Sequence, residues 1–113
     1  MNNIEQLNKY DFHDSLLENL FYNRETKELN LIIDFCNWKQ SWYHDNEPET
    51  SIISLVFTNV SNATIPEYTP NSDEIMNFSL LEQNSGIKVT IFNDISNSLY
   101  DIIVYANEFE ILK

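Results

Sequence analysis

The sequence predicts a mainly β domain: an antiparallel sandwich or small open barrel of about 6–8 strands with a short N-terminal helix, folding as a single domain over 1–113. Three observations lead there. Apolar residues recur at every second position in several separate runs, the period of a half-buried strand. Turn-forming residues punctuate those runs roughly every 8–12 residues. The chain has one glycine against sixteen asparagines. Asparagine is the best substitute where the backbone needs a positive φ, so Asn23, Asn46, Asn71, Asn84, Asn97 and Asn107 are expected to serve the turns.

From the N-terminus, Asn3 to Tyr10 reads as the short helix, with Asn3 and Gln6 spaced as a capping box and Ile4 and Leu7 on one face. Ser15 to Tyr22 is the first strand, its apolar bulk on Leu16, Leu20 and Tyr22. Asn23 to Glu28 is a hairpin turn. Leu29 to Cys36 is the clearest strand, with Leu29, Leu31, Ile33 and Phe35 alternating against Asn30 and Asp34. Trp38, Gln40 and Trp42 keep that rhythm and extend or resume the strand. Asp45 to Thr50 is a loop by composition. Ile52 to Val60 is apolar on both faces and is placed centrally.

Ser61 to Asp73, with Pro66 and Pro70, is a long connection of the kind that often carries function. Glu74 to Leu81 is a fourth strand with Met76, Phe78 and Leu80 inward, a helix being the alternative. Gln83 to Gly86 is a hairpin turn, Ile87 to Ile91 a fifth strand, and Asn93 to Asn97 a further turn. Leu99 to Ala106 is the sixth strand, and Phe109 to Ile111 closes the chain as a short seventh. No internal repeat is visible.

Composition bounds the function. With 42% apolar and 13% aromatic residues, the chain can build a core and is not a disordered acidic tail. No apolar run approaches the roughly 20 residues of a membrane span. The start, Met1-Asn2-Asn3-Ile4-Glu5, lacks the basic and apolar segments of a signal peptide, and the lone Cys36 cannot form an internal disulfide. The expected location is cytoplasmic. The net charge of −12 is concentrated after residue 39, and no Lys or Arg stands between Gln40 and Ile87. Such a surface repels nucleic acids and anionic membranes. It either keeps the protein soluble or draws a basic protein partner.

One glycine leaves no phosphate loop, dinucleotide fingerprint or nucleophile elbow, and one Cys with two His leaves no zinc-finger spacing. No cofactor and no catalytic residue is assigned. The two histidines fall in similar triplets, Phe12-His13-Asp14 and Tyr43-His44-Asp45. Should the triplets meet in space, His13, Asp14, His44 and Asp45 offer a metal two imidazoles and two carboxylates, the basis of an alternative reading as a metal-binding or metal-dependent hydrolytic domain. Neighbouring residues on a strand point to opposite faces, so each pair has to lie in a turn to chelate together. The structural alternative has Asp14 and Ser15 bonding turn amides at the entry to the first strand. The stronger functional candidate is the aromatic and acidic segment of Trp38, Trp42, Tyr43, His44, Asp45, Glu47 and Glu49, which suits a surface for a basic protein. The competing use of both Trp is in the core. Exposed edge strands would also allow a homo-oligomer.

Phe12-His13-Asp14-Ser15, Leu29-Asn30-Leu31-Ile32-Ile33-Asp34, Leu55-Val56-Phe57-Thr58-Asn59-Val60 and the ending Ile102 to Ile111 together resemble a family of small bacterial all-β proteins of uncharacterised function. Those proteins carry a His-Asp-Ser or His-Asp-Ala signature before the first strand. The resemblance spans most of the chain and supplies no catalytic residues. Some small acidic all-β proteins of this kind are regarded as immunity proteins. The resemblance therefore implies a protein that neutralises a bacterial toxin, and the acidic charge points to a basic one.

Overall fold

The computed structural model describes residues 2–67 and 69–113; Met1 and, within the long connection, Tyr68 lie outside them. The chain is mainly β. Nine strands run β1 (Asn2–Asn3), β2 (Leu16–Asn23), β3 (Glu28–Cys36), β4 (Thr50–Thr58), β5 (Asn62–Thr64), β6 (Asp73–Leu80), β7 (Gly86–Asn93), β8 (Ser98–Tyr105) and β9 (Glu108–Leu112). Among the described residues, helical structure is limited to 3-10 segments at Ile4–Lys9, Asn37–Lys39 and Glu82–Asn84. The expected N-terminal helix is thus a 3-10 turn. Its start carries the Asn3/Gln6 capping box, the Asn3 N–H donating to Gln6 Oε1 at 3.0 Å. Ile4 and Leu7 are buried as their spacing implied. Too short for a stable α-helix, the segment is held by docking those two side chains.

All nine strands belong to one antiparallel sheet in the order β1-β9-β4-β3-β2-β6-β7-β8-β5. Nine strands exceed the expected 6–8; the two not among the seven read individually from the sequence are β5, which lies inside the segment read as a connection, and β1. The sheet is open, with β1 and β5 at its edges. It is not closed into a barrel, and its strands do not separate into two hydrogen-bonded sheets. Connectivity nevertheless forces it to bend. Strands β8 and β9 stand six places apart in the sheet, about 29 Å if flat. Only Ala106 and Asn107 join them, a reach of about 11 Å at most. The crossover from β4 to β5 imposes the same demand. The seam between the two halves is thin, β2 and β6 pairing only through Leu16↔Glu74 and Leu17↔Asp73. The inner faces then share one core, with Leu29, Leu31, Ile33, Leu55 and Phe57 from one half and Ile75, Ile87, Val89, Ile91 and Val104 from the other.

The two halves repeat one another. Adding 58 to six of the seven β2–β3 pairs gives a β6–β7 pair, so Leu20↔Leu31 becomes Phe78↔Val89 and Leu17↔Ile33 becomes Ile75↔Ile91. The bulges coincide as well, between Leu17 and Asn19 and between Ile75 and Asn77. Each half then sends a short strand to the other: β5 pairs with β8, and β9 with β4. Even the turn contacts match, the Val60 N–H donating to Lys27 O and the Ala106 N–H to Ser85 O. The sequence conceals this repeat because a strand needs only the alternation of apolar positions, not particular side chains. Across 15–36 and 73–94, only Asn19/Asn77 and Ile33/Ile91 are identical.

The bulges also revise two faces. Each bulge inserts one residue and flips the phase of the strand beyond it. Leu17 is therefore inward before the first bulge, and Leu20 and Tyr22 after it. In β6, Ile75 is inward and Met76 is exposed, while Phe78 and Leu80 pack on the core as expected. Of the asparagines expected in turns, Asn84 and Asn97 take positive φ, joined by Asn59. Asn23 acts differently, its Oδ1 accepting from the Glu25 and Thr26 N–H groups. Gly86 has no positive φ and serves close strand packing instead of a turn.

Candidate functional site

The β3–β4 connection carries the segment selected from the sequence. It leaves the sheet through the turn Asn37–Lys39, so Trp38, Gln40 and Trp42 do not continue the strand. The base of the loop is tied across: the Trp38 N–H donates to Glu49 O at 3.2 Å, and the Asn37 amide donates to Pro48 O and Ser51 Oγ, each at 3.2 Å. Gln40 is the hidden clamp. Buried, it accepts from the Asp11 N–H at 2.9 Å and donates to Asp11 O at 2.8 Å and Cys36 O at 2.9 Å. No periodicity in the sequence marks Gln40 for this role, because its partner is 29 residues away.

The loop presents Trp38 and Trp42 to solvent, 51% and 44% exposed. Trp42 meets the Tyr10 ring edge-on at 5.4 Å, and Tyr10 in turn touches Phe12 and Phe35. The aromatic surface is therefore braced from the core. His44, Asp45, Glu47 and Glu49 are exposed and Tyr43 is half-buried. The Glu47 carboxylate accepts from the His44 N–H at 3.0 Å, and the Tyr43 hydroxyl donates to Glu47 O at 3.2 Å. Desolvation, followed by the charges of Glu49, Asp45 and Glu47, pushes the Tyr43 hydroxyl above its ordinary pKa. The same field would favour a cation placed there. Among the described residues no cation pairs with these three carboxylates.

His13 and Asp14 do lie in a turn, their side chains 3.1 Å apart, with Asp14 at φ 69. The cation they hold is the chain's own Lys39, 3.3 Å from Asp14 Oδ2, 3.4 Å from His13 Nδ1 and 3.8 Å from Asp11. His44 and Asp45 are not brought to them: among the described residues no three His, Cys, Asp or Glu side chains are grouped to hold a metal ion. The entry has a structural task instead. Ser15, fully buried, accepts from the Cys36 N–H through Oγ at 3.0 Å. The Asp14 N–H donates to Ile75 O, and the Ile75 N–H to Ser15 O, across the seam between the halves. Cys36 is a buried free thiol, donating to Asp14 O at 3.5 Å.

Desolvation alone would raise the Asp14 pKa. The hydrogen bond from Lys39 and the charges of His13 and Lys39 outweigh it and hold the carboxyl below its ordinary value. With the folded pKa below the unfolded one, this group stabilises the protein above the unfolded pKa, and that contribution is lost as pH falls through the folded value. Lys39→Ala is expected to move the Asp14 titration, followed by carboxyl NMR, upward. Asp14→Asn is expected to remove its part of the acid limb of stability; an unchanged limb would show that the Lys39 contact has no effect.

No protein family, curated protein or solved structure matches the chain. No helix is long and apolar enough to cross a membrane among the described residues.

Proposed function

We propose that this chain is a non-enzymatic, cytoplasmic protein-binding domain, an immunity protein that neutralises a basic toxin through its acidic, aromatic surface. The observation that carries the reading is the β3–β4 loop: two half-exposed Trp on a braced base, beside Asp45, Glu47 and Glu49 with no cation among the described residues paired to them. Large aromatic side chains supply anchors at interfaces, and uncompensated carboxylates speed encounter with a positively charged partner. Lys39, the cation nearest in sequence, is engaged by Asp11 and Asp14. The resemblance to small bacterial all-β proteins with the Phe-His-Asp-Ser entry supports the immunity setting. The net charge of −12 disfavours nucleic acids and anionic membranes as partners.

Titration with the protein encoded by the adjacent reading frame, at low and high salt, tests this. Binding at low salt that weakens as salt rises is expected, and absence of binding at both salts rejects it. Trp42→Ala is expected to weaken the complex by about 2 kcal/mol, roughly thirtyfold in Kd. Glu47→Lys with Glu49→Lys should act chiefly by slowing association and flattening its salt dependence. Equal effects at all salt concentrations would count against an electrostatic contact.

A further inference from the structure

The register holds across the seam, and one line of outward side chains runs through six strands. Ile52, Asp34, Leu16, Glu74, Phe92 and Leu99 are successive cross-strand partners from β4 to β8. Their chain neighbours Ile53, Ile33, Leu17, Ile75, Ile91 and Tyr100 pack on the core, so all six face outward. Apolar and acidic side chains alternate from Ile52 to Phe92, and the two ends, Ile52 and Leu99, are 55% and 62% exposed. The line covers about 24 Å measured along the sheet. At its middle lies a cavity of about 240 Å³ walled by Leu16, Ser72, Glu74, Phe92 and Asp94. That is below the size of a small-molecule pocket and suits one long side chain. Leu16 and Phe92 make its apolar walls, and Glu74 and Asp94 bring carboxylates. Asp34 stands beside Leu16 in register, and the Ser72 hydroxyl donates to Glu18 Oε2 at 2.8 Å. Among the described residues none of these four carboxylates pairs with a cation. The chain's own Lys and Arg are placed elsewhere. Lys9 and Arg24 lie over Tyr10 and Tyr22, Lys39 is held by Asp11 and Asp14, and Lys88 pairs with Asp101. Lys27 is in the turn at the far end of β2, and Lys113 lines the cleft by Tyr10 and Trp42. The repeat sharpens the contrast: Asp14, the counterpart of Ser72 and likewise at positive φ, has the Lys39 ammonium at 3.3 Å.

We propose that this cavity takes an arginine side chain of the protein partner, its stem against Leu16 and its guanidinium over Phe92, between the Glu74 and Asp94 carboxylates. Ile52 and Leu99 then meet apolar side chains of the same partner on either side. The inference rests on the protein-binding reading above and adds to it a second contact, on the outer face of the sheet. Charge decides the sign of the occupant, since four unpaired carboxylates face a cavity that no cation of the chain enters. The mixed walls decide its kind. A planar guanidinium stacks on an aromatic face, forks onto carboxylates and is more weakly hydrated than an ammonium, so arginine suits the site better than lysine. Among the described residues no three His, Cys, Asp or Glu side chains are grouped to hold a metal ion, whereas an organic cation with an apolar stem uses both kinds of wall. A second copy of the chain is disfavoured, because it brings a net charge of −12 against an acidic face. Arginine is also among the residues that dominate binding energy at protein interfaces.

The test uses the full chain and a capped tripeptide of arginine between two alanines, beside its lysine and citrulline counterparts, at millimolar concentration. Saturable NMR shifts of the Leu16 methyls and the Phe92 ring are expected with the arginine peptide. Lysine should bind at least about threefold more weakly, and the neutral citrulline should give no shift. Glu74→Gln with Asp94→Asn, both surface changes, should weaken the arginine peptide about tenfold and the adjacent-frame protein by a similar factor. Equal shifts with lysine, or shifts confined to Trp38 and the Asp45–Glu49 carboxylates, would overturn the proposal. An unchanged Kd of the double variant for the adjacent-frame protein would overturn it too. So would the absence of shifts with any peptide, while salt-dependent binding of the adjacent-frame protein would still sustain the broader reading. Arginine-specific shifts at Leu16 and Phe92 without binding of that protein would sustain the arginine site and reject the toxin reading.

Discussion

Gly86→Ala is expected to destabilise the protein by on the order of 3 kcal/mol or more, or to prevent folding. A Cβ built on Gly86 would stand 1.9 Å from Val104 O and 2.9 Å from the Tyr105 Cα. Both are backbone atoms of β8, so no rotamer change relieves the clash. Gly86 opens β7 opposite Tyr105. Its carbonyl accepts from the Leu81 N–H, and the neighbouring Ser85 carbonyl accepts from Ala106, the first residue of the crossover to β9. Moving β8 away would therefore disturb the connection that returns the chain to the other half. The repeat-equivalent position is Glu28, exposed and with a full side chain, so glycine is a demand of this one junction and not of the hairpin type. Chemical and thermal unfolding of Gly86→Ala beside Ser85→Ala measures it, with a drop in Tm of roughly 12 °C or more for the first variant. A loss below about 1 kcal/mol would mean that β8 yields easily there.

That role for Gly86 shows where the sequence stops being informative. The strands were legible because alternation is a local signal: Leu29, Leu31, Ile33 and Phe35 bury their side chains as their spacing demanded. The turns were half legible, since Asn84 and Asn97 take positive φ, but so do Asp14, Lys27, Ser72 and Gln83. Bulges at Glu18 and Met76 were not legible, because an inserted residue shifts the phase without changing composition. The curl of the sheet depends on which strands a two-residue crossover joins, and strand pairing over such distances leaves no local trace. The repeat was invisible for the reason that let it diverge: either half keeps its register with any apolar side chain at positions such as Leu20 and Phe78.

At the candidate site, the aromatic and acidic segment could be found by composition, and its Trp residues could equally have been core. Exposure is decided by Gln40 and by the Asn37–Lys39 turn, which lift Trp38 and Trp42 off the line of β3. The two His-Asp pairs looked equivalent in sequence. They differ because Lys39 folds back onto one of them and not the other.

Phe12→Ala carries the second large expected effect, about 3–5 kcal/mol. Phe12 is 2% exposed and belongs to no strand. Its ring stacks on Phe78 at 4.3 Å and 22°, and lies 5.3 Å from Phe35. Phe78 is in β6 and Phe35 in β3, so the ring spans the seam where backbone pairing is limited to two residue pairs. Side-chain packing here supplements the short ladder that β2 and β6 form. A truncation leaves a cavity bounded by two sheet halves, each held rigid by its own hairpins, and a site that cannot collapse incurs the upper end of the cost. Phe12→Leu keeps most of the volume and should cost less than about 1.5 kcal/mol. Tyr10 also leans on Phe12, at 5.9 Å, and Trp42 on Tyr10. The cavity is therefore expected to loosen Trp42 and increase its quenching by acrylamide even where the variant stays folded. If Phe12→Ala lowers stability while Trp42 quenching is unchanged, the aromatic chain from seam to surface is not a mechanical connection, and the loop holds its shape through Gln40 and the hydrogen bonds across its base.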